Sequence, residues 1–370
     1  MRILHTEASC GWGGQEIRIL EEARGLIERG HSVSVACPAQ ARLYTEAPRF
    51  GVPAVALPID RKNWNAFRAL RRHLRDGAFD VVNSHSSTDS WLAALACATL
   101  SEPPALVRTR HVSVPVRPNA LNRWLYGRAA CHIVTTGQSL RQQLIDGLQL
   151  APQRVTSVPT GIDTQRFIAA ERDAALQALG LDSRCKYIGI VATLRSWKGH
   201  LFLLDAFAQL AVPELRLLIV GDGPMRGPIE AKIAELQLGS RVILAGQQTE
   251  PERWMQAIDI FCLPSYANEG VPQAIVQAML CAKAIVATPV GAILEAVSHE
   301  ESALIVPPQD AAALATAIRR LLDDPALAGR LGVSARRRAS ADFSLDVMLN
   351  AMEELFRRHS DESRRSLSAN

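Results

Sequence analysis

Three observations predict two α/β domains, each a parallel sheet covered on both faces by helices. Short runs rich in Val, Ile, Leu and Ala recur along the 370 residues, with helical patterns between them. These runs are almost continuously apolar, as in Ile188-Gly189-Ile190-Val191-Ala192 and Leu217-Leu218-Ile219-Val220. Strands buried on both faces read this way, and their alternation with helices implies right-handed βαβ units. Finally, the length suits about two domains at roughly 100–200 residues each.

The first set of strands is expected near 2–6, 32–37, 54–57, 80–84, 105–109, 131–136 and 155–158. The second is expected near 187–192, 215–220, 241–245, 259–263, 284–287 and 303–306. The first helix should run from Gly14 to about Arg29, with Ile17, Leu20, Ala23 and Ile27 at helical spacing and Gly30 as its stop. The polar stretch 159–186, with Pro159, Gly161 and a short Glu171–Leu179 helix, reads as the boundary region. This gives a first domain over 1–170 and a second over 171–343. A terminal helix over 344–358 follows, with Val347, Met352, Leu355 and Phe356 apolar, and then a Ser-, Arg- and Asp-rich tail, 359–370, expected to be disordered.

Composition excludes several classes of function. The chain is 48% hydrophobic and 21% charged, which suits packed domains and not extended disorder. No apolar run reaches the roughly 18–20 residues that cross a membrane. The opening Met1-Arg2-Ile3-Leu4-His5 goes straight into Thr6-Glu7, without the apolar core of a secretory signal. The seven cysteines (10, 37, 97, 131, 185, 262 and 281) are scattered and never form CxxC. They read as reduced thiols of a cytoplasmic protein, and no disulfide framework or zinc site is expected.

The net charge of +4 is uneven. Residues 1–175 hold 21 Lys and Arg against 15 Asp and Glu, and the remainder holds 20 against 22. A basic first half implies an anionic partner. Within it, Arg61, Lys62, Arg68, Arg71, Arg72 and Arg75 share an acid-free window with Trp64, Phe67, Leu70 and Leu74 at helical spacing. That window, 61–75, is a candidate for peripheral contact with an anionic membrane, although a sheet-covering helix with its arginines in water gives the same pattern. Nucleic acid is not expected, because aromatics total only 5% and are not interleaved with the basic residues.

In open parallel sheets, ligands bind where strand ends meet helix N-termini, so the chemistry should lie in those loops. The first, Ser9 to Glu16, carries Gly13 and Gly14, which let a ligand approach the backbone before a helix N-terminus. It is not the dinucleotide fingerprint, since Glu16 stands at the third glycine position, and Gly221-Asp222-Gly223 fails the same test at Arg226. His85 and His111 each follow a strand, which suggests a polar cleft; either could equally be a packing histidine. Metal ligation is not expected, because no DxD or HExxH occurs. After the second domain's first strand, Arg195 and Lys198 precede a helix starting near Gly199, a pattern suited to clamping a diphosphate. Further on, Glu269, Gly270 and Val271 precede Pro272, which is expected as the first helical residue, and Gln273 and Gln277 follow on one helix face. A carboxylate, an anion-binding helix end and amides together suit a polyhydroxylated, phosphorylated ligand.

Taken together, Gly13-Gly14-Gln15-Glu16, Val158-Pro159-Thr160-Gly161-Ile162-Asp163, Trp197-Lys198-Gly199, Val220-Gly221-Asp222-Gly223-Pro224 and Glu269-Gly270-Val271-Pro272 through Gln277-Ala278-Met279 resemble, in order, the retaining glycosyltransferases of family 4. The resemblance implies the GT-B fold: two facing Rossmann-like domains, with the last helix crossing back to the first. It implies transfer of a hexose-type sugar from a nucleotide diphosphate sugar, UDP-sugar favoured over GDP-sugar, without a metal or other cofactor. By resemblance, His111 lies near the transferred sugar, Glu269 holds sugar hydroxyls and Lys198 binds the diphosphate. Gly13, Gly14, Arg195, Gly270 and Val271 would line the diphosphate, Gln277 would meet the ribose, and Glu16, His85 and Gly223 are further candidate cleft residues. Two positions depart from the family pattern. Gln277 stands at the second acid of E-x7-E, and Thr193 stands at an expected Arg, with Arg195 two residues on. The expected acceptor is a glycan or lipid-linked glycan of cell-surface polysaccharide or lipopolysaccharide synthesis, met in the cytoplasm or at the inner face of its membrane. A nucleotide-sugar epimerase of the same fold and a non-catalytic nucleotide-sugar-binding subunit remain open as alternatives.

Overall fold

A computed structural model describes residues 1–112 and 114–368. The chain divides into two compact units, Met1–Gly161 together with the residues from Leu345 onward, and Ile162–Ser344. The change of unit falls at Gly161 and Ile162, within the polar stretch and ahead of residue 170.

The first unit holds seven strands: β1 (Arg2–Thr6), β2 (Ser32–Cys37), β3 (Ala54–Ala56), β4 (Val81–Ser84), β5 (Ala105–Arg110), β6 (His132–Thr135) and β7 (Val155–Ser157). They are all parallel, in the order β3-β2-β1-β4-β5-β6-β7. The second unit holds six parallel strands: β8 (Lys186–Val191), β9 (Leu215–Val220), β10 (Val242–Gly246), β11 (Ile260–Leu263), β12 (Ala284–Ala287) and β13 (Leu304–Ile305). Their order is β10-β9-β8-β11-β12-β13. All thirteen lie where the apolar runs predict, within a residue or two at their ends. Strands such as β11 and β12 are buried along their whole length, so both faces demand apolar side chains and the sequence shows no alternation.

Strand order matters for function. In each sheet the chain reverses its direction of winding beside the first strand, between β1 and β4 and between β8 and β11. Loops leaving neighbouring strands at such a switch point diverge and leave room for a ligand.

The helices follow their apolar stripes. The first runs Gly14–Glu28 and buries Ile19, Leu20, Ala23 and Leu26. The helix expected at Glu171 starts one residue later, at Arg172. Pro272 is not the first helical residue; its ψ of 126° leaves it as the N-cap of Gln273–Leu280. The terminal helix runs Leu345–Ser368, ten residues past the expected stop at 358. The disordered tail expected over 359–370 is therefore helical as far as Ser368, and its last two residues lie outside the described residues. Polar contacts hold this extension: His359 Nδ1 meets Glu362 Oε2 at 2.8 Å, and Arg364 pairs with Asp80 at 2.5 Å. The same helix buries Met348, Leu349, Met352, Leu355 and Phe356 in the first unit's core, and Arg29 pairs with Asp346 and Glu353.

Candidate functional site

In the second unit, the loop after β8 and the loop after β11 leave adjacent strands. That adjacency brings Lys198 and Glu269 together across 71 residues of sequence. Lys198 Nζ donates to Glu269 Oε1 at 2.7 Å and to Oε2 at 3.0 Å. Ser265 Oγ donates to the same Oε1 at 2.7 Å. The pair is asymmetric, with the Glu269 side chain 5% exposed and that of Lys198 19%. The carboxylate is fixed from below, and the ammonium remains reachable by a ligand.

Two glycines make this approach feasible. Gly199 has φ +79°, and a Cβ there would sit 2.0 Å from the Pro264 carbonyl oxygen. Gly291 has φ +58°, and its Cβ would sit 2.0 Å from the carbonyl oxygen of Glu269 itself. Both positions need a left-handed backbone and close contact, which only glycine combines. Arg195 is exposed and lies over the Trp197 ring, 5.8 Å from its centroid. It stands on the same loop as Lys198 without joining the Glu269 pair. Gly223 (φ +158°) packs on the Leu194 backbone and so holds that loop. Gly270 and Gln277 are half-buried and Val271 is buried, at or near the start of the helix that follows β11. Beside the pair, burial and then the charge of Lys198 lower the buried His200 to about 4, against a backbone contact from Arg195.

In the first unit, the ends of β1, β4 and β5 lie side by side and carry His5, His85 and His111. His5 Nδ1 is 2.9 Å from His85 Nε2, and His85 Nδ1 is 2.9 Å from His111 Nε2. The two histidines singled out from sequence therefore touch, with a third behind them. Burial, reinforced by nearby positive charge, holds all three rings neutral. His5 falls to about 3 through burial and Arg18, and His85 and His111 fall well below the usual imidazole range.

Gly13 is the N-cap of the first helix and Gly14 its first residue, so both sit at the anion-favouring end. Glu16 is buried in the first turn, where Ser9 Oγ donates to it at 3.4 Å, and burial raises its carboxyl pKa. Two further acids occupy this edge. Glu7 accepts from the Ser9 amide at 2.7 Å and from the Gln15 side chain. Asp89 accepts from Thr6 Oγ1 and from the His85 and Ser86 amides. Burial raises both acids, and the charge of Asp89 adds to the rise at Glu7.

Sequence reasoning missed His5, Arg18, Glu22, Glu7, Asp89 and Ser265. Of these, His5 carried a usable signal, as a polar residue inside an apolar strand beside the first loop. Among the described residues, no group of three or more His, Cys, Asp or Glu is placed to hold a metal ion.

Comparison with known proteins identifies the family. Residues 12–166 match the model for Glycosyltransferase Family 4, and residues 185–324 match that for Glycosyl transferases group 1. A D-inositol 3-phosphate glycosyltransferase from Stackebrandtia nassauensis is 25% identical, over 96% of this chain and 89% of its own length. The lipopolysaccharide core biosynthesis mannosyltransferase LpsB of Rhizobium meliloti is 28% identical, over 54% of this chain and 60% of its own. The structure of Anabaena Alr3699/HepE in complex with UDP-glucose superposes with a TM-score of 0.85 at 20% identity, covering 97% of this chain and 100% of that one. With matched segments that together span well over half of its length and a fold shared with GT-B enzymes, this chain belongs to the family 4 glycosyltransferases.

Proposed function

We propose that this glycosyltransferase moves a hexose-type sugar, with retention, from a UDP-sugar to a phosphate-bearing or lipid-linked glycan. The observation that carries this reading is the Lys198–Glu269 pair, held by Ser265 beside a helix start in the second unit. Departure of the nucleotide diphosphate builds negative charge on its oxygens and positive character on the sugar ring. A fixed ammonium and nearby helix ends stabilise that developing charge more than the ground state, which is what accelerates the step. Lys198 supplies a cation that the diphosphate can meet without a divalent ion. Glu269, already anchored, is left to orient sugar hydroxyls. Arg195 adds charge at the loop, the Gly270 and Val271 backbones line the diphosphate, Gln277 offers a neutral amide to the ribose, and in the first unit Gly13 and Gly14 offer a helix start to an anion. His111, at the edge of the first sheet, offers its outer ring nitrogen to a sugar hydroxyl.

The acceptor reading rests on the basic first unit and on the names of two relatives, one acting on an inositol phosphate and one on a lipopolysaccharide core. The helix Trp64–Gly77 supports contact with an anionic membrane surface on the cytoplasmic side. It buries Ala66, Leu70 and Leu74 but leaves Trp64 69% exposed, stacked on Phe67. Trp64 and Phe67 line an apolar groove of about 390 Å³ with Leu92 and Leu95, and Lys62 stands at its edge. Aromatic residues beside a run of cations suit the boundary between headgroups and acyl chains.

Calorimetric titration with UDP, GDP and ADP in EDTA tests the donor assignment. The expected result is micromolar binding of UDP that is lost in Lys198→Ala. Binding of GDP or ADP alone would replace the base assignment, and binding of none would overturn the donor site. Donor turnover without any acceptor would instead favour an epimerase, and tight binding without turnover a non-catalytic subunit.

A further inference from the structure

The three histidines at the edge of the first sheet form a line in which every internal nitrogen is used. A neutral imidazole carries one N–H and one lone pair. Each of the two 2.9 Å contacts needs one of each, and both nitrogens of His85 are engaged. Only two proton arrangements satisfy both contacts. Either all three rings carry hydrogen at Nε2, each donating toward His5, or all three carry it at Nδ1, each donating toward His111. The rings cannot choose independently.

The far end of the line decides between them. His5 Nε2 lies 4.0 Å from Glu22 Oε1. Glu22 is fully buried and faces Arg18, with Nε to Oε2 at 3.5 Å, while the Asn83 side-chain amide approaches Oε1 at 3.4 Å. Arg18 is itself fully buried and donates to the Val158 carbonyl at 2.8 Å and to Thr160 at 3.3 Å. Burial raises the Glu22 carboxyl, and the charge of Arg18 with the Arg18 and Asn83 hydrogen bonds opposes that rise; protonating Glu22 would strand the guanidinium without a counter-ion, so the pair stays ionised. A carboxylate attracts an N–H and repels a lone pair. Among the other charged groups around the line, Asp89 accepts from Thr6 Oγ1 and from the His85 amide, Arg110 acts on His111, and the charge of Arg18 reaches all three rings.

We propose that Glu22 sets the tautomer of His111 through His5 and His85, placing hydrogen on Nε2 of all three rings and leaving His111 Nδ1 as a bare lone pair. His5, His85 and Glu22 are then positioning residues for His111. The nitrogen of His111 that lies outside the line accepts a hydrogen bond and does not donate one, so it selects a hydroxyl as its partner. The consequence for transfer rests on the reading that His111 meets the sugar; the tautomer assignment itself does not.

The test is long-range proton–nitrogen NMR of the full chain with ¹⁵N-labelled histidine at pH 7, the resonances assigned by single substitutions. The expected spectrum shows His5, His85 and His111 all protonated at Nε2. A ring of the three protonated at Nδ1, or a mixture at any of them, overturns the proposal. In Glu22→Gln, whose amide can present either N–H or C=O to His5, the Nδ1–H form should appear in all three rings together. An unchanged spectrum in that variant overturns the control by Glu22. If the variant does not fold, the wild-type spectrum still decides. Since no nucleotide is present, a failure of the donor reading leaves this result intact, and the reverse also holds.

Discussion

The two sheet edges treat charge in opposite ways. In the first unit, Arg18, Glu22, Glu7 and Asp89 are sealed from water, and the histidines beside them are held neutral. In the second, Lys198 and Glu269 form one ion pair whose cation still reaches solvent. A buried network fixes directions of hydrogen bonding but cannot readily change its charge. An ion pair whose cation is partly exposed can exchange its partner for an incoming anion. The comparison teaches that the first edge suits recognition of neutral hydroxyls and the second suits a diphosphate.

The largest effect should come from breaking the sealed pair. Arg18→Met leaves Glu22 charged and buried, and denaturant unfolding should show a loss of about 3–5 kcal/mol. Arg18→Met combined with Glu22→Leu should recover most of it, since an apolar pair needs no counter-ion. The control is Arg226→Met in the exposed Arg226–Glu230 pair, which should cost no more than about 0.5 kcal/mol. Equal costs at the two sites would erase the distinction between the edges.

Next comes catalysis at the second edge. Lys198→Ala should lower kcat by about 10²–10³, the cost of removing one preorganised donor from developing charge. Glu269→Gln should separate the two roles. It frees Lys198 from its competitor, so binding of UDP alone should hold or tighten while turnover of the UDP-sugar falls. If UDP binding falls as far as turnover does, Glu269 serves the diphosphate and the division of labour is wrong.

These effects bear on what the chain discloses from its sequence. Strands such as β11 and β12 were legible because a strand buried on both faces leaves an unbroken apolar run. Lys198 and Glu269 were legible because they sit in short loops with glycine and proline beside them, where few packing roles compete. Arg18 and Glu22 were not, because an i,i+4 Arg–Glu pair on an amphipathic helix reads as a solvated face. Segments distant in sequence cover it: Val158 and Thr160, and the Leu345–Ser368 helix, which brings Met352 against Arg18. That helix was itself read short, since Ser360 to Ser368 lacks apolar periodicity and is helical through contacts such as Arg364–Asp80 that lie 284 residues apart. The His5–His85–His111 line spans the ends of three strands, and no local window contains it.

A smaller effect should follow acid. His200 is buried beside Lys198, with its pKa lowered to about 4. Below about pH 6.5 the unfolded chain protonates this residue and the folded chain does not, so stability is lost as pH falls. The loss is about 1.4 kcal/mol per pH unit between pH 6.5 and 4. His200→Leu should remove that increment, so the difference between wild type and variant should grow by this amount per unit on acidification. A difference independent of pH would mean that His200 is charged in the fold. The same measurement on His5→Phe should extend the window down to about pH 3, because full burial and the charge of Arg18 hold that ring lower.

The smallest effect on stability should come from Trp64, because its ring is mostly in water and truncation removes little buried area. Trp64→Ala should shift unfolding by no more than about 0.5 kcal/mol. Its effect on surface binding should be much larger in proportion. Co-sedimentation with anionic phospholipid vesicles at low salt should fall several-fold in Trp64→Ala. Reversing charge at Arg68 and Arg72 should weaken it further and reduce its dependence on ionic strength, since exposed charges act over a Debye length of about 8 Å at physiological salt. Sedimentation that is unchanged by both substitutions would remove the membrane from the reading of this helix and leave it as cover for the first sheet. The buried polar edge of that unit would be unaffected, because Leu70 and Leu74 pack inward in either case.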